Sequence, residues 1–157
     1  MILLSAGLRC VRGSSVRTQR TKAAAYASEF EKGLFMSVLF LEYPKCSTCK
    51  KAKKWLDEHG MEYVDRDITT ENPTAAELAE WHERSGLPLR RLFNTSGMKY
   101  RELGIKAKLD AGMTDAECFD VLATDGMLVK RPLLVGDDFV IPGFKEETWA
   151  EVLGLDR

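Results

Sequence analysis

Apolar residues recur with the periods of strands and helices from residue 37 onward. Val38–Tyr43 is a run of apolar and β-forming residues, which predicts a buried strand that ends at Pro44. Apolar positions between 49 and 56 then follow helical spacing, and Gly60 provides a C-terminal cap. Glu62–Ile68 alternates as a second strand does. A strand–helix–strand unit of this length predicts two parallel neighbouring strands.

Two further helices are predicted by capping-box sequences, in which a threonine is followed three positions later by a glutamate. Thr74–Glu77 opens a helix that runs to about Gly86, and Thr114–Glu117 opens one that runs to about Thr124. Short polar segments lie between these helices, and Asn94–Gly97 among them is typical of a turn or loop.

The end of the chain predicts a hairpin and a closing helix. Leu128–Val135 has the composition of a strand interrupted at Pro132, Gly136–Asp138 predicts a tight turn, and Phe139–Ile141 is the returning strand. Lys145–Leu153 is amphipathic, and its inward side chains are expected to be Trp149, Val152 and Leu153. Together these elements predict an α/β domain.

Residues 1–35 differ from the rest of the chain in charge and in pattern. They contain six Lys or Arg and two Glu, a net charge of +4, whereas the remaining residues contain 17 Lys or Arg and 22 Asp or Glu. We predict a disordered extension, in which Cys10 receives no role. A true start at Met36 and an Arg- and Ser-rich transit peptide are alternatives, and the apolar run at residues 2–4 is too short for a secretory signal. The folded domain is therefore expected over residues 36–157.

Length and composition predict one ordinary globular domain. The 157 residues are 45% apolar and 30% charged with a net charge of −1, so nothing overall points to a nucleic-acid or membrane partner. No apolar run approaches the roughly 18 residues of a membrane span. Four cysteines, two of them close together, are too few for a disulfide scaffold and indicate redox or metal chemistry in a reducing compartment. We therefore expect a cytoplasmic, monomeric protein.

The candidate chemistry lies in Cys46-Ser47-Thr48-Cys49, at the predicted start of the first helix. Unpaired backbone N–H groups and the helix dipole stabilise an anion there, so the pKa of the Cys46 thiol should fall below its free value of about 8.5. Ser47 and Thr48 can donate further hydrogen bonds. Cys49 belongs to the apolar stripe of the helix, so we expect Cys46 to be the exposed nucleophile and Cys49 the buried resolving thiol.

Other interpretations of these residues stay open at this point. A Cys-x-x-Cys pair can be half of a zinc site, but Cys118 and the two histidines supply no second ligand pair at suitable spacing, so we expect no metal. The pair could also be purely structural. Cys118 shares a face with apolar positions and is expected to be a small core residue, and the lysines at 50–54 form a solvated face. The three tryptophans are expected in the core.

Four segments together form a pattern that is more specific than the Cys-x-x-Cys pair alone. They are Tyr43–Ala52, Leu92–Gly97, Tyr100–Gly104 and Lys130–Leu134. Together they resemble the arsenate reductase (ArsC) and Spx family of the thioredoxin-like superfamily, over about residues 37–153. The resemblance implies a thioredoxin-like fold with a mixed four-stranded sheet and an inserted helical subdomain at about residues 74–124. It also implies that Pro132 is a cis-proline facing the cysteines, with Arg131 beside the Cys46 sulfur. The alternative is that Arg131 is an ordinary surface residue on an edge strand.

The resemblance also bears on which reaction is expected. Glutaredoxin-linked arsenate reductases of this family use one catalytic cysteine and three arginines around the oxyanion. Cys46 and Arg131 match the cysteine and one arginine, whereas Asn94 and Ile141–Gly143 stand where the other two arginines are expected. One arginine stabilises an arsenate dianion poorly, and a second cysteine at position 49 favours dithiol exchange.

A thiol–disulfide oxidoreductase is therefore the favoured interpretation, with Cys46 as nucleophile, Cys49 as resolving thiol and Arg131 stabilising a thiolate or a bound anion. The candidate substrate-binding residues are Ser47, Thr48, Asn94 and Pro132. No bound cofactor is expected, and glutathione, a glutaredoxin or a thioredoxin would supply electrons. The alternative is a Spx-like redox-sensing regulator that binds the C-terminal domain of the RNA polymerase α-subunit without direct contact to nucleic acid. Arsenate reduction is a weaker alternative.

Overall fold

The fold is described by a computed structural model over residues 38–155, so the predictions for residues 1–35 lie outside the described residues. One mixed sheet in the order β2–β1–β3–β4 forms its centre. The strands are β1 (Val38–Glu42), β2 (Tyr63–Asp67), β3 (Leu133–Val135) and β4 (Val140–Pro142). β1 pairs in parallel with β2 and antiparallel with β3, and β3 and β4 form the predicted hairpin. Every residue of β1 is buried, as the unbroken apolar run of a central strand requires.

Six helices among the described residues accompany this sheet, and two of them were not predicted from the sequence. The helices are α1 (Ser47–Glu58), α2 (Ala75–Ser85), α3 (Met98–Glu102), α4 (Ile105–Asp110), α5 (Asp115–Thr124) and α6 (Glu146–Val152), with 3₁₀ turns at Leu89–Leu92 and Gly126–Leu128. α1 connects the two parallel strands, and α2 to α5 lie between β2 and β3. The mixed four-stranded sheet with an inserted helical segment is therefore confirmed. Among residues 38–155, no helix is long and apolar enough to span a membrane.

Both predicted capping boxes are formed. The Thr74 hydroxyl accepts from the Glu77 backbone N–H at 3.2 Å, and the Glu77 carboxylate accepts from the Thr74 N–H at 2.8 Å. Thr114 and Glu117 repeat the same pair of bonds at 3.3 and 2.8 Å. Glu77 has one partner that Glu117 lacks, because the Arg66 guanidinium of β2 donates to it at 2.7 Å. This ion pair ties the start of α2 to the sheet.

An aromatic cluster fixes α1 and α6 against the sheet. Trp149 of α6 meets Phe40 of β1 and Trp55 of α1 edge-on, with ring centroids 6.2 and 6.1 Å apart, and Phe144 at 4.8 Å. Trp81 is also buried, so the core placement of all three tryptophans is confirmed. Such aromatic contacts add to the burial of each ring. The cluster holds the helix that carries the two neighbouring cysteines.

Three structural predictions need correction. Val152 was expected to face the interior, but its side chain is 38% exposed, because the short α6 turns only its Trp149 face to the sheet. The strand predicted from Leu128 begins at Leu133, since residues 126–128 form a 3₁₀ turn and Val129 makes an isolated bridge to Phe93. The polar segments before Thr114 contain α3 and α4, each too short to show a helical period.

One glycine holds the helical segment close to the sheet. A side-chain Cβ at Gly126 would lie 2.0 Å from the backbone carbonyl oxygen of Ile68, just after β2. Because backbone cannot move aside as a flexible side chain can, no larger residue fits there. The segment that leads to β3 therefore depends on this close approach.

Candidate active site

The turn after β1 places Cys46 at the start of α1. Cys46 is the N-cap residue, with extended φ and ψ of −84° and 121°, and its backbone N–H donates to the Tyr43 carbonyl at 2.8 Å. Its side chain is half-buried, whereas Cys49, one turn further along, is fully buried. Both are free thiols. The difference in exposure that the apolar stripe predicts is confirmed.

The Cys46 thiol is electrostatically prepared to ionise. Burial raises its pKa, but several contacts outweigh that effect: hydrogen bonds from the backbone and the thiol of Cys49, a backbone hydrogen bond from Thr48, and the positive charge of Arg131. The net result is that the pKa of Cys46 lies below the ordinary thiol value. A helix start of this kind stabilises a thiolate through N–H groups that have no partner within the helix.

Cys49 is held in the opposite state. The pKa of Cys49 is raised to about 12, chiefly by burial; a backbone hydrogen bond with Tyr43 opposes this increase, and the interaction with Cys46 and the negative charge of Glu42 add to it. Glu42 is itself only 7% exposed at the end of β1, and burial together with the Asp65 carboxylate raises its own pKa. The second thiol is therefore protonated at neutral pH and has a buried acid in its surroundings.

Arg131 and Pro132 lie across from the helix start. The Arg131–Pro132 peptide bond is cis, as the resemblance implies. The Arg131 guanidinium carbon lies 5.0 Å from the centre of the Tyr43 ring, and Nη1 donates to the Met127 carbonyl at 3.3 Å. The aromatic ring and the carbonyl both favour a cation at this position. Arg131 is thus held between the turn that precedes Cys46 and the segment that precedes β3.

Asn94 shares this arrangement. It is 7% exposed, its Nδ2 donates to the same Met127 carbonyl at 3.3 Å, and its Oδ1 accepts from the Ser96 hydroxyl at 3.2 Å. A Cβ at Gly97 would come within 2.6 Å of Asn94 Nδ2, so this turn is closely packed. Asn94 supplies a neutral amide where an arginine would supply a charge, and it fixes the carbonyl that also binds Arg131.

These groups border one cavity of about 750 Å³. Cys46, Thr48, Asn94 and Arg131 line it. Pro132 is buried, and its carbonyl accepts from the Gly143 N–H at 2.8 Å. Of the other predicted site residues, Ser47 is exposed and does not contribute to the cavity wall formed by the described residues, and Cys49 lies beneath the surface beside Cys46. The structure thus brings four of the predicted residues to one cavity.

The sequence analysis missed three cations that also line the cavity. They are Arg91 on the 3₁₀ turn before Asn94, Lys130 next to Arg131, and Lys145 at the start of α6. Position 130 carried a usable signal, because Lys130 belongs to the same Lys-Arg-Pro segment as Arg131. Positions 91 and 145 carried none, since only the folded chain brings them to the cysteine. The cavity therefore carries four cationic side chains, even though Asn94 and Ile141–Gly143 replace two expected arginines.

Cys118 lies apart from this site. It is fully buried in α5, and burial, followed by the nearby Asp115 and Glu117 carboxylates, raises its pKa. The prediction that Cys118 is a small core residue is confirmed. Within residues 38–155, no group of three or more His, Cys, Asp or Glu side chains is placed to hold a metal ion.

The fold and the site define a thioredoxin-like protein with one activated thiol at a cavity and a second thiol hydrogen-bonded to it. The chain belongs to the ArsC family, whose profile matches residues 41–152. It is 52% identical to the uncharacterized protein YusI of Bacillus subtilis, over 74% of this chain and 98% of YusI. It is 28% identical to the regulatory protein MgsR of the same organism, over 75% of this chain and 89% of MgsR.

The chain is also similar to a solved structure. The chain is 43% identical to a protein of Streptococcus mutans described as a possible arsenate reductase, with a TM-score of 0.67. The match covers 73% of this chain and 98% of that one. The relatives thus include both a protein named for reductase chemistry and a protein named for regulation.

Proposed function

We propose that the protein is a thiol–disulfide oxidoreductase that uses Cys46 and Cys49 as its redox pair. The observation that carries the proposal is the opposite state of the two thiols. Contacts at the helix start lower the pKa of Cys46 at the cavity, whereas burial raises the pKa of Cys49 beneath it. A nucleophile that ionises first and a second thiol that stays protonated until needed is the division of labour that dithiol exchange requires.

The proposed reduction of a substrate disulfide has two steps. The Cys46 thiolate attacks one sulfur of a substrate disulfide, the substrate S–S bond breaks, and the other substrate sulfur leaves as a thiolate that takes a proton from solvent. Cys49 then attacks the Cys46 sulfur, the bond between Cys46 and the substrate breaks, and the Cys49 proton passes to the departing substrate sulfur; this releases the second substrate thiol and forms the Cys46–Cys49 disulfide. Two electrons pass from the protein to the substrate. A thiol donor such as glutathione, a glutaredoxin or a thioredoxin returns them.

Arg131 assists this chemistry electrostatically. Its positive charge contributes to the lowered pKa of Cys46, and the Tyr43 ring and the Met127 carbonyl hold it in place. Thr48 adds a backbone hydrogen bond to the same sulfur. Asn94 lines the cavity as a neutral hydrogen-bonding group, Pro132 is buried next to Arg131, and Ser47 is exposed outside the cavity wall.

Turnover with a small disulfide substrate tests the proposal. Purified protein, glutathione, glutathione reductase and NADPH are mixed with a disulfide such as cystamine, and NADPH loss is followed at 340 nm. Cys46→Ser is expected to abolish the catalysed rate, and Cys49→Ser to accumulate a mixed disulfide on Cys46 that mass spectrometry detects. Cys118→Ala is the matched control, because it removes a buried thiol outside the site, and it should keep the rate. An unchanged rate in Cys46→Ser would refute the proposal.

A redox-sensing regulator is the second candidate, and the similarity to MgsR favours it. In that case the Cys46–Cys49 disulfide would control binding to the C-terminal domain of the RNA polymerase α-subunit. A pull-down with that domain, in the oxidised and the reduced state, separates the two functions. State-dependent binding without catalysed disulfide reduction would replace the enzyme proposal. Arsenate-dependent NADPH oxidation that Cys46→Ser abolishes would instead show arsenate reduction.

A further inference from the structure

The cavity at Cys46 is lined by four cations. They are Arg91, Lys130, Arg131 and Lys145, and among the described residues no Asp or Glu lines it. None of the four makes an ion pair with another of the residues that the structure describes. The surrounding domain is acidic overall, since the chain after residue 35 has five more acidic than basic residues. Four uncompensated cations in an acidic domain repel one another unless a negatively charged ligand neutralises them.

The cations also extend beyond one binding point. They come from the 3₁₀ turn at 89–92, from the segment before β3 and from the start of α6. A second cavity of about 300 Å³ continues from the first, since Arg91, Lys130 and Pro142 line both. Arg90 adds a further cation there, with Asp110 3.8 Å away. The positive surface is therefore a path that leads away from Cys46.

The size of this path decides the kind of anion. A cavity of about 750 Å³ lies toward the upper end of the range of about 300–1,000 Å³ for small-molecule sites. A single oxyanion is only one or two times the roughly 30 Å³ of a water molecule, so it would leave most of that space empty. One part of the wall is apolar and is formed by Val140, Ile141, Pro142 and Phe144, whereas Thr48, Ser85, Asn94, Ser96 and Thr148 add neutral polar groups. Several positive charges in a cavity with both apolar and neutral polar walls suit an extended peptide chain that carries several carboxylates.

We propose that the preferred substrate is a protein disulfide whose cysteine lies within an acidic segment, bound along Arg91, Lys130 and Lys145. This inference rests on the proposed disulfide chemistry of Cys46 and adds the substrate class to it. Aspartates or glutamates beside the substrate cysteine pair with these cations and bring the disulfide to the Cys46 thiolate. Each solvent-exposed cation is worth roughly a factor of two in the ratio between an acidic and a basic segment, so the three together give nearly a tenfold preference.

Three peptide disulfides test the substrate class. Each is a homodimer of a nine-residue peptide with a central cysteine, flanked on both sides by two Asp, two Ser or two Lys. Because flanking charges change the intrinsic reactivity of a disulfide, each kcat/KM is divided by the rate constant for dithiothreitol with the same peptide. The normalised value is expected to be about tenfold higher for the Asp peptide than for the Lys peptide at 20 mM salt. It should approach equality at 0.5 M salt, where exposed charges are screened.

A charge-reversed variant connects the preference to the cavity. Lys130→Glu replaces one attraction with one repulsion and should lower the Asp-to-Lys ratio about fourfold, and Lys130→Gln should lower it about twofold. Lys108→Glu is the matched control, because Lys108 is an exposed helical lysine away from both cavities. It should leave the ratio unchanged.

Each outcome is decisive. Equal normalised values for the three peptides overturn the substrate class while the proposed disulfide chemistry stands. Faster turnover of glutathione disulfide than of the Asp peptide overturns it in favour of a small thiol. Turnover of none of the disulfides overturns both proposals together. A preference that Lys108→Glu reduces as much as Lys130→Glu does would mean that overall charge, and not this cavity, selects the substrate.

Discussion

The opposite protonation states of Cys46 and Cys49 predict a large difference in their alkylation rates. The reduced protein is treated with iodoacetamide, which reacts with the thiolate form. With a pKa of about 12, only about one Cys49 in 10⁵ is ionised at pH 7. A thiol with a pKa of 9.0 is roughly 1% ionised at that pH, and Cys46, whose pKa lies below that value, is ionised more than that. Ionisation alone therefore makes Cys46 at least about a thousandfold faster.

The assay measures initial labelling rates by mass spectrometry of the cysteine peptides, before Cys46 is consumed. Between pH 7 and pH 9 the Cys49 rate should rise about a hundredfold, because its thiolate fraction grows tenfold per pH unit below its pKa. The Cys46 rate should rise less, since its lower pKa brings it to saturation earlier. Buried Cys118 in the same digest is the internal control for access of the reagent. Equal rates for Cys46 and Cys49 at pH 7, or parallel pH profiles, would refute the assigned states.

Three further predictions concern stability and pH. Glu77→Gln should lower the free energy of unfolding by about 2 kcal/mol in urea denaturation, because the charge-assisted hydrogen bonds from Arg66 are weakened. The loss is not larger because the Glu77 side chain is partly exposed to water, which screens the ion pair. Glu117→Gln is the control, because Glu117 has the same role in the second capping box but no arginine partner, and its substitution should cost less stability. Equal losses in the two variants would mean that the ion pair with Arg66 is unimportant. Gly126→Ala should cost more than about 3 kcal/mol by the same measurement, since its Cβ would meet a backbone carbonyl at 2.0 Å, and a stable variant would contradict that close approach. The pKa of Glu42 is raised in the folded protein, so its protonated carboxyl contributes stability that is complete below the ordinary carboxyl pKa and is lost as the pH rises through the raised pKa. Glu42→Gln cannot ionise, so its free energy of unfolding should increase relative to that of the wild type as the pH rises toward 7. A constant difference between the two proteins across pH 4–8 would contradict the raised pKa.

The elements that the sequence predicted well have strong local signals. The two capping boxes begin with threonine and place glutamate at the third helical position, and both formed where predicted. The hairpin turn at 136–138 also formed. The helices that were not predicted have weak local signals. α3 and α4 are five and six residues long, and a helix that short owes its stability to packing more than to its own sequence.

The sequence by itself determined the local environment of the two neighbouring cysteines. A cysteine after a strand and a proline turn, at the N-cap of an amphipathic helix, is predisposed to ionise, and its partner one turn later falls on the buried face. These are local properties, because a helix start and an apolar stripe involve neighbours within about one or two turns. The roles of Cys46 and Cys49 could therefore be expected before any fold was known.

Only the tertiary structure decided the charge around that centre. Arg91 and Lys145 are far apart in sequence and lie on different elements, yet both line the cavity at Cys46. A count of arginines at the positions expected for the family finds only one cation. Electrostatic interaction depends on distance in space and not on position in the sequence, so this count misses cations that the fold brings close. The sequence thus determines which of the two cysteines lies exposed at the helix start, and the folded chain determines which charges surround it.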